Sequence, residues 1–177
     1  LRFSNFQLKV FEEQSCLYSY LYENNNLGVS LCFTISYFII ENTLNINLVV
    51  ENLQNYPVFL EYGFRQVFSA RGIHQLHTDR GSCFYVANGF PGIIDISRDR
   101  ELHFQRERSE KGISIYFSKN IHLKLLKYDE KNGYIDLVTC LSRPEDFEKD
   151  KYLLGSKKTK YMNMAVSIHS YNKKMHE

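Results

Sequence analysis

The sequence predicts a mainly β fold, a barrel or sandwich, followed by C-terminal α-helices, which makes an α+β class. Three observations predict it. Residues 57–117 contain short alternating segments broken by Gly, Pro and Asn, as in small barrels and sandwiches. The chain has thirteen Tyr and thirteen Phe, which favour pleated, half-buried surfaces. After Phe117 the spacing of apolar residues changes from every second residue to the spacing that is typical of a helix.

The first part of the chain, residues 6–50, alternates in the way that strands do. Glu12–Gln14 and Glu23–Asn26 interrupt the pattern and are predicted to be loops. In the run from Leu31 to Ile39 every second residue is apolar or aromatic, and Thr34 lies between two of them. Such a run places one set of side chains on each face of a sheet.

Short strands are predicted next, within four segments between residues 57 and 117. Arg71-Gly72 and Arg80-Gly81 are turn signals, and they bracket a hairpin arm around Ile73 to His77. The four segments are Pro57–Phe64, Cys83–Val86, Gly92–Ile96 and Gly112–Phe117.

Helices are predicted in the last third, so that one domain, residues 1–177, divides into a β part (1–117) and a helical appendage (118–177). Ser118 is a suitable N-cap for a helix to Tyr128, with Ile121, Leu125 and Leu126 on its apolar side. Ser142–Glu145 could open a short helix with Pro in its first turn. From Thr159 a final helix is predicted, with an apolar stripe at helical spacing. Its members are Tyr161, Met164, Ala165, Ile168, Tyr171 and Met175.

Composition places the chain among ordinary globular proteins. Apolar residues make up 44% and charged residues 24%, and the net charge is +2. This balance argues against disorder, and bulk charge gives no sign of the concentrated basic face that a nucleic-acid binder needs.

The four cysteines are scattered, which disfavours zinc ribbons and redox dithiols. No signal peptide and no apolar run near eighteen residues occurs, so we expect a cytoplasmic protein without a membrane partner. A chain that begins at Leu1 is expected to be a fragment, a processed form or the product of a non-AUG start.

No group of residues in the sequence indicates a reaction. His74 and His77 have a spacing that suits a metal on a helix, but in a strand they point to opposite faces. Several carboxylates occur without an evident acid–base partner, and the G-x-S-x-G and glycine-rich phosphate motifs are missing. We therefore predict no enzyme, no catalytic residues, no metal and no cofactor.

A pocket is predicted at the aromatic strand before Arg65. Tyr62 and Phe64 would hold an apolar ring, and Arg65 and Arg71 would bind an anionic group of a small effector. Ordinary core residues beside surface arginines are the alternative interpretation.

The terminal stripe gives a second candidate surface. Tyr161, Met164 and Ile168 on one helix face would either pack on their own domain or mediate a homodimer.

The order of features resembles the N-terminal sensor domain of AraC-family transcription regulators, especially the siderophore-responsive members. Leu60-Glu-Tyr-Gly-Phe64 is similar to an acidic-aromatic-Gly-aromatic strand end, and Asn88–Gly92 to the Gly-containing turn that follows it. Gly112–Leu123 looks like the family's strand-to-helix step, and Met162–Ile168 like its Met-containing helical segment.

This resemblance implies a cupin-like β-barrel that binds a small effector, with trailing helices that dimerise or contact a DNA-binding domain. DNA would be bound only through that domain, which lies outside this sequence. Two alternatives stay open. One is a carbohydrate-active β-sandwich, such as a galactose-mutarotase-like sugar epimerase, which needs a catalytic His and Glu facing one groove; the spacing shows no obvious pair. The other is a non-enzymatic interaction module with an exposed apolar patch.

Overall fold

The computed structural model describes residues 6–86, 92–106, 111–141 and 153–170, and within them it contains fifteen β-strands and no α-helix. The strands are β1 Gln7–Glu12, β2 Ser15–Asn24, β3 Val29–Ile40, β4 Thr43–Asn52, β5 Val58–Phe59, β6 Gly63–Ser69, β7 Ile73–Thr78, β8 Cys83–Tyr85, β9 Ile93–Asp95, β10 Glu101–Arg106, β11 Lys111–Phe117, β12 Leu123–Asp129, β13 Tyr134–Cys140, β14 Leu153–Leu154 and β15 Thr159–Ser170.

Two antiparallel sheets face each other. The large sheet has the strand order β1-β2-β3-β4-β15-β11-β10-β7-β8, and the small sheet has the order β6-β13-β12-β9. A two-stranded ribbon joins β14 to β5. The paired inner faces make this a sandwich.

The core lies between the two sheets. Phe104 of β10 and Phe68 of β6 meet across it with ring centroids 5.1 Å apart. Fully buried side chains come from both layers, among them Leu102, Ile115 and Met162 from the large sheet and Leu126, Ile135 and Leu137 from the small sheet. The opposite face of the large sheet is therefore left for other contacts.

The strands predicted in the first part of the chain are confirmed. β1 to β4 form an antiparallel meander whose first two turns fall at the expected loops, and Leu31 and Phe33 are buried as the alternation requires. The arm around Ile73 to His77 is β7, which pairs with β8 after the turn at Gly81.

The helix predicted from Ser118 to Tyr128 is wrong. Leu123–Asp129 is strand β12, which pairs with β13 on one side and β9 on the other. Lys131-Asn-Gly133 does not end a helix. It forms the hairpin turn to β13, with Gly133 at φ 65°, which is the ordinary role of Asn-Gly between two strands.

The helix predicted from Thr159 is also wrong. Thr159–Ser170 is strand β15, which lies between β4 and β11 near the middle of the large sheet. Met162 and Met164 point into the core and are almost completely buried. Apolar residues two positions apart therefore lie on the buried face of a strand, although the longer apolar stripe predicted from Thr159 also matches a helical period.

A cupin-like barrel with a helical appendage is thus corrected to a two-layer β-sandwich. Strands β12 and β15 replace two of the expected helices, and together with β13 they complete both sheets. The predicted turn at residues 88–91 and the short helix at Ser142–Glu145 lie outside the described residues, as do Tyr171 and Met175. No helix that could cross a membrane occurs in the part of the chain that the structure describes.

Asn52 at the end of β4 joins three chain segments from a fully buried position. Its Nδ2 donates to the carbonyl oxygens of Tyr56, Leu154 and Gly155 at 2.8, 3.1 and 3.0 Å, and its Oδ1 accepts from the Gln54 amide at 2.9 Å.

We expect Asn52→Leu to lower the free energy of unfolding by about 2–4 kcal/mol, because buried carbonyl groups lose their donor. Urea unfolding followed by circular dichroism measures this change. Asn132→Leu, in the exposed turn before Gly133, is the control and should change stability by less than about 1 kcal/mol. Equal effects of the two substitutions would contradict the role of Asn52.

Candidate functional site on the large sheet

The outer face of the large sheet is polar at its centre. On β10, Leu102 and Phe104 point into the core, so Glu101, His103 and Gln105 point to the other face. His103 and Glu101 are partly accessible, with 24% and 40% of their side chains exposed. Alternation on one strand thus places an imidazole beside a carboxylate.

Neighbouring strands extend this polar face by their register. Residues opposite each other in a sheet point to the same face, with Cβ atoms about 5 Å apart. The row through His103 runs across five strands and consists of His77, His103, Ser114, Ser167 and Thr43.

A hydrogen-bonded chain of side chains runs along this face. Glu101 Oε2 lies 3.3 Å from His103 Nε2, and His103 Nδ1 lies 2.6 Å from Ser114 Oγ. Ser114 Oγ also contacts His169 Nδ1 at 3.1 Å. Four residues from three strands therefore share one network, in which the Glu101 carboxylate and the Ser114 hydroxyl group can each accept a hydrogen bond from one ring nitrogen of His103.

Gly112 makes space for the second imidazole of this network. A Cβ atom at this position would lie 3.0 Å from His169 Nε2 and 3.1 Å from the Phe104 carbonyl oxygen. The rings of His103 and His169 meet edge to face, with centroids 6.2 Å apart. The absence of a side chain at residue 112 lets both rings lie over the same part of the sheet.

His103 has a pKa below its ordinary value of 6.5. Partial burial is the main cause, because desolvation disfavours the cation, and the nearby His169 and His77 act in the same direction. Glu101 and Asp79 oppose this shift. A histidine that gives up its proton easily next to a carboxylate is suited to proton transfer.

His77 lies on the β7 side of the network. Its Nε2 contacts Gln75 Oε1 at 2.6 Å and Gln105 Oε1 at 3.3 Å. Both contacts are to amide oxygens, so Nε2 carries a proton and donates it to them.

A groove continues the site toward β3. One register row leads from Glu101 through Tyr116, Ala165 and Asn45 to Phe38. A cavity of about 380 Å³ lies along this row, and it is lined by Phe38, Asn45, Asn47, Tyr116, Phe117, Ser118, Asn163, Met164 and Ala165. Aromatic rings beside amides and a hydroxyl can bind a ligand that has both apolar faces and hydroxyl groups.

The predicted H-x-x-H pair is separated by the strand, as expected. His77 belongs to the polar network, whereas His74 is exposed on the other face and contacts the Tyr85 ring edge to face. Among the described residues, no three His, Cys, Asp or Glu side chains are grouped in a way that could hold a metal ion.

The four predicted pocket residues do not converge on one pocket. Phe64 is buried in the core, and Arg65 is the next residue on β6 and points to the opposite face. The Arg65 guanidinium forms a hydrogen-bonded ion pair with the Asp136 carboxylate, and its shortest distance, between Nη2 and Oδ2, is 2.7 Å. Arg71 is exposed in the turn before β7. Ligand binding by Tyr62, Phe64, Arg65 and Arg71 stays a prediction, but the Arg65 charge already has a partner.

Tyr62 lines a separate, mostly apolar cavity of about 600 Å³, beside Leu31, Phe33, Leu48 and Leu60. Its hydroxyl group is buried and has no hydrogen-bond partner in the described residues. Burial raises the pKa of Tyr62 far above its ordinary value. The hydroxyl group therefore stays protonated, and its burial is a cost to stability.

We expect Tyr62→Phe to raise the free energy of unfolding by about 1 kcal/mol, because an unpaired polar group leaves the interior. Tyr22→Phe is the matched control in the same cavity wall. The Tyr22 hydroxyl accepts a hydrogen bond from Asn24 Nδ2 at 3.2 Å, so this substitution should bring no gain. Urea unfolding compares the two variants, and a loss of stability in Tyr62→Phe would contradict the interpretation.

The residues of the predicted dimerisation helix lie on a strand instead. On β15, Met164 is buried in the core, while Tyr161 and Ile168 are 58% and 57% exposed. Tyr161 and Met164 point to opposite faces of the sheet, so the three residues form no common helix face. A homodimer stays a prediction without this surface.

The acid–base pair of the network was missed in the sequence. Glu101-Leu-His-Phe-Gln105 alternates polar and apolar residues, and that pattern places Glu101 and His103 on one face of a strand. Ser114 and His169 had no comparable signal, because only strand pairing brings them to β10.

Comparison with known proteins shows the fold. No protein-family model matches the sequence, and no curated protein matches it. Solved structures do match. A galactose mutarotase-like protein from Lactobacillus casei has a TM-score of 0.69 at 13% identity, over 93% of this chain and 73% of that one. A GalM/aldose epimerase homologue from C. elegans has a TM-score of 0.68 at 12% identity, over 94% and 69%.

A third match is a galactose mutarotase related enzyme from Lactobacillus acidophilus, with a TM-score of 0.62 at 8% identity over 95% of this chain and 72% of that one. This chain spans about two thirds of the length of several structural neighbours, for example 66% of a protein from Synechocystis. At identities this low, the structural similarity establishes the fold, and the activity has to be argued from the residues of this chain.

These matches correct the expected family. The resemblance to AraC-family sensor domains is wrong, because the matched architecture is the mutarotase-like sandwich and the helices on which that resemblance depended are strands. The roles in transcription regulation that this resemblance implied are therefore withdrawn. The prediction that the protein is not an enzyme is also contradicted, since a protein described as a galactose mutarotase related enzyme shares the fold. The chain has the fold of a galactose-mutarotase-like β-sandwich, the architecture of the first alternative.

Proposed function

We propose that the protein is a carbohydrate-active protein of the galactose-mutarotase-like type that interconverts the anomers of an aldose. The observation that supports this best is the 3.3 Å contact between His103 Nε2 and Glu101 Oε2 on an open polar face. An enzyme of this type needs a catalytic His and Glu that face one groove, and we assign these roles to His103 and Glu101, which lie two residues apart on β10. The structural neighbours include a galactose mutarotase-like protein and a GalM/aldose epimerase homologue, which also supports this proposal.

The reaction needs one acid and one base close together. In a cyclic aldose, the ring oxygen and the anomeric hydroxyl oxygen are both bonded to C1. The Glu101 carboxylate takes the proton of the anomeric hydroxyl, and the His103 imidazolium gives its Nε2 proton to the ring oxygen. The bond between C1 and the ring oxygen breaks, and an open-chain aldehyde forms.

Ring closure reverses these transfers on the other face of the aldehyde. Rotation about the C1–C2 bond exposes that face, the ring hydroxyl attacks C1, and both protons return. In the imidazolium, the Nδ1 proton is donated to Ser114 Oγ, which fixes the ring orientation. Protons and electrons balance within the sugar and the two side chains, so no cofactor is required.

Polarimetry tests this proposal. Purified protein is mixed with freshly dissolved α-D-glucose or α-D-galactose, and the optical rotation is followed to equilibrium. We expect a rate above that of the same buffer alone, in proportion to the protein concentration. If neither aldose equilibrates faster than in buffer, the proposed function is wrong.

The pH dependence of the rate follows from the lowered pKa of His103. The reacting form of His103 is protonated, and its pKa lies below 6.5. The rate should therefore fall as the pH rises from about 5.5 to 8, because the imidazolium is lost. Rates corrected for the buffer at each pH measure this profile. A rate that rises with pH over this range would contradict His103 as the acid.

A further inference from the structure

We propose that the groove beside Glu101 holds a second sugar residue, so that the preferred substrate is a short oligosaccharide with a free reducing end. The inference depends on the proposed function in one respect: the anomeric carbon of the reducing sugar is placed at Glu101 and His103. The groove then receives the rest of the sugar chain.

The first support is length. The register row from Glu101 to Phe38 crosses from β10 to β3 through β11, β15 and β4. Four strand spacings of roughly 4.8 Å give about 19 Å. A single pyranose ring at His103 would cover one end of this row and leave the Phe38 end empty.

The second support is the shape of the groove. Ala165 lies between Tyr116 and Asn45 in the row, and its small side chain forms a low floor. The cavity of about 380 Å³ over this floor is large enough for one further small ring. Tyr116, which lines this cavity, is the direct cross-strand neighbour of Glu101, so the cavity lies next to the acid–base pair.

The third support is the chemistry of the walls. Phe38 and Tyr116 offer ring faces for the apolar face of a pyranose. Three amides, Asn45, Asn47 and Asn163, line the same cavity. Asn47 Nδ2 donates to Ser36 Oγ at 3.3 Å, and an amide retains further donor and acceptor capacity for sugar hydroxyl groups. None of the described residues that line this cavity has a charged side chain, which favours a neutral sugar.

Calorimetry with D-glucose, cellobiose and maltose tests the inference. We expect at least one disaccharide to bind about tenfold more tightly than glucose, because a second ring adds contacts in the groove. Phe38→Ala should remove most of that gain. Phe11→Ala is the matched control, since Phe11 is 79% exposed on the edge strand β1, and it should leave the gain unchanged.

Asn163→Ala is a second test that does not depend on an aromatic packing residue. Asn163 is exposed on β15, so this variant should fold, and it should also reduce the gain. The inference is overturned if neither disaccharide binds more tightly than glucose, or if the gain survives both Phe38→Ala and Asn163→Ala.

Binding and turnover separate this inference from the proposed function. If a disaccharide binds more tightly than glucose in a way that depends on Phe38, but no mutarotation is observed, the result would support sugar binding in the groove and reject the proposed reaction. Mutarotation of glucose without any disaccharide gain would support the reaction and reject the groove.

Discussion

Replacing His103 with asparagine should lower the rate of mutarotation by about 10²- to 10⁴-fold, the usual contribution of a positioned general acid. Asparagine keeps a polar side chain of similar reach but cannot deliver a proton to the ring oxygen. Because His103 also contacts Glu101 and Ser114, the substitution removes the acid and also removes a contact that orients the base, Glu101. Polarimetry at a fixed sugar concentration measures the difference.

His74→Asn is the matched control for this prediction. His74 lies on β7 within the same sheet but on the face away from the network, and its replacement should leave the rate within about twofold. Glu101→Gln should resemble His103→Asn, since each removes one half of the pair. If His103→Asn retains the rate of the unaltered protein, the site lies elsewhere on the molecule.

Gly63→Ala should destabilise the protein by roughly 3 kcal/mol or more, the upper range for overpacking in an interior. A Cβ atom at residue 63 would lie 1.7 Å from the backbone carbonyl oxygen of Thr139 and 3.0 Å from the Cys140 Cα. Gly63 pairs with Cys140 at the start of β6, so the added methyl group must push β6 and β13 apart. Thermal or urea unfolding followed by circular dichroism measures the loss.

A second glycine separates this effect from the general cost of replacing glycine. At Gly155 a Cβ atom would meet the Lys158 side chain at 3.2 Å, and a flexible lysine can move away. Gly155→Ala should therefore change the free energy of unfolding by less than about 1 kcal/mol. Similar losses in both variants would contradict the close approach of β6 to β13.

The candidate site shows why the fold was easier to predict than the function. Leu31 and Phe33 alternate with polar neighbours, so their strand and their buried face could be inferred locally. Glu101 and His103 follow the same rule and could have been identified as a pair. His169, in contrast, reaches the pair only because β15 lies beside β11, a contact between residues more than fifty positions apart.

Local sequence alone determined the β character of the described residues between 6 and 117, because period-two alternation fixes which side chains share a face. The tertiary structure decided the last third. Leu123–Asp129 and Thr159–Ser170 have apolar residues that satisfy a helical period and a strand period at once, and each became a strand by pairing on both edges. Backbone hydrogen bonds to distant strands are available only in the assembled sheet, and they outweigh a weak local preference.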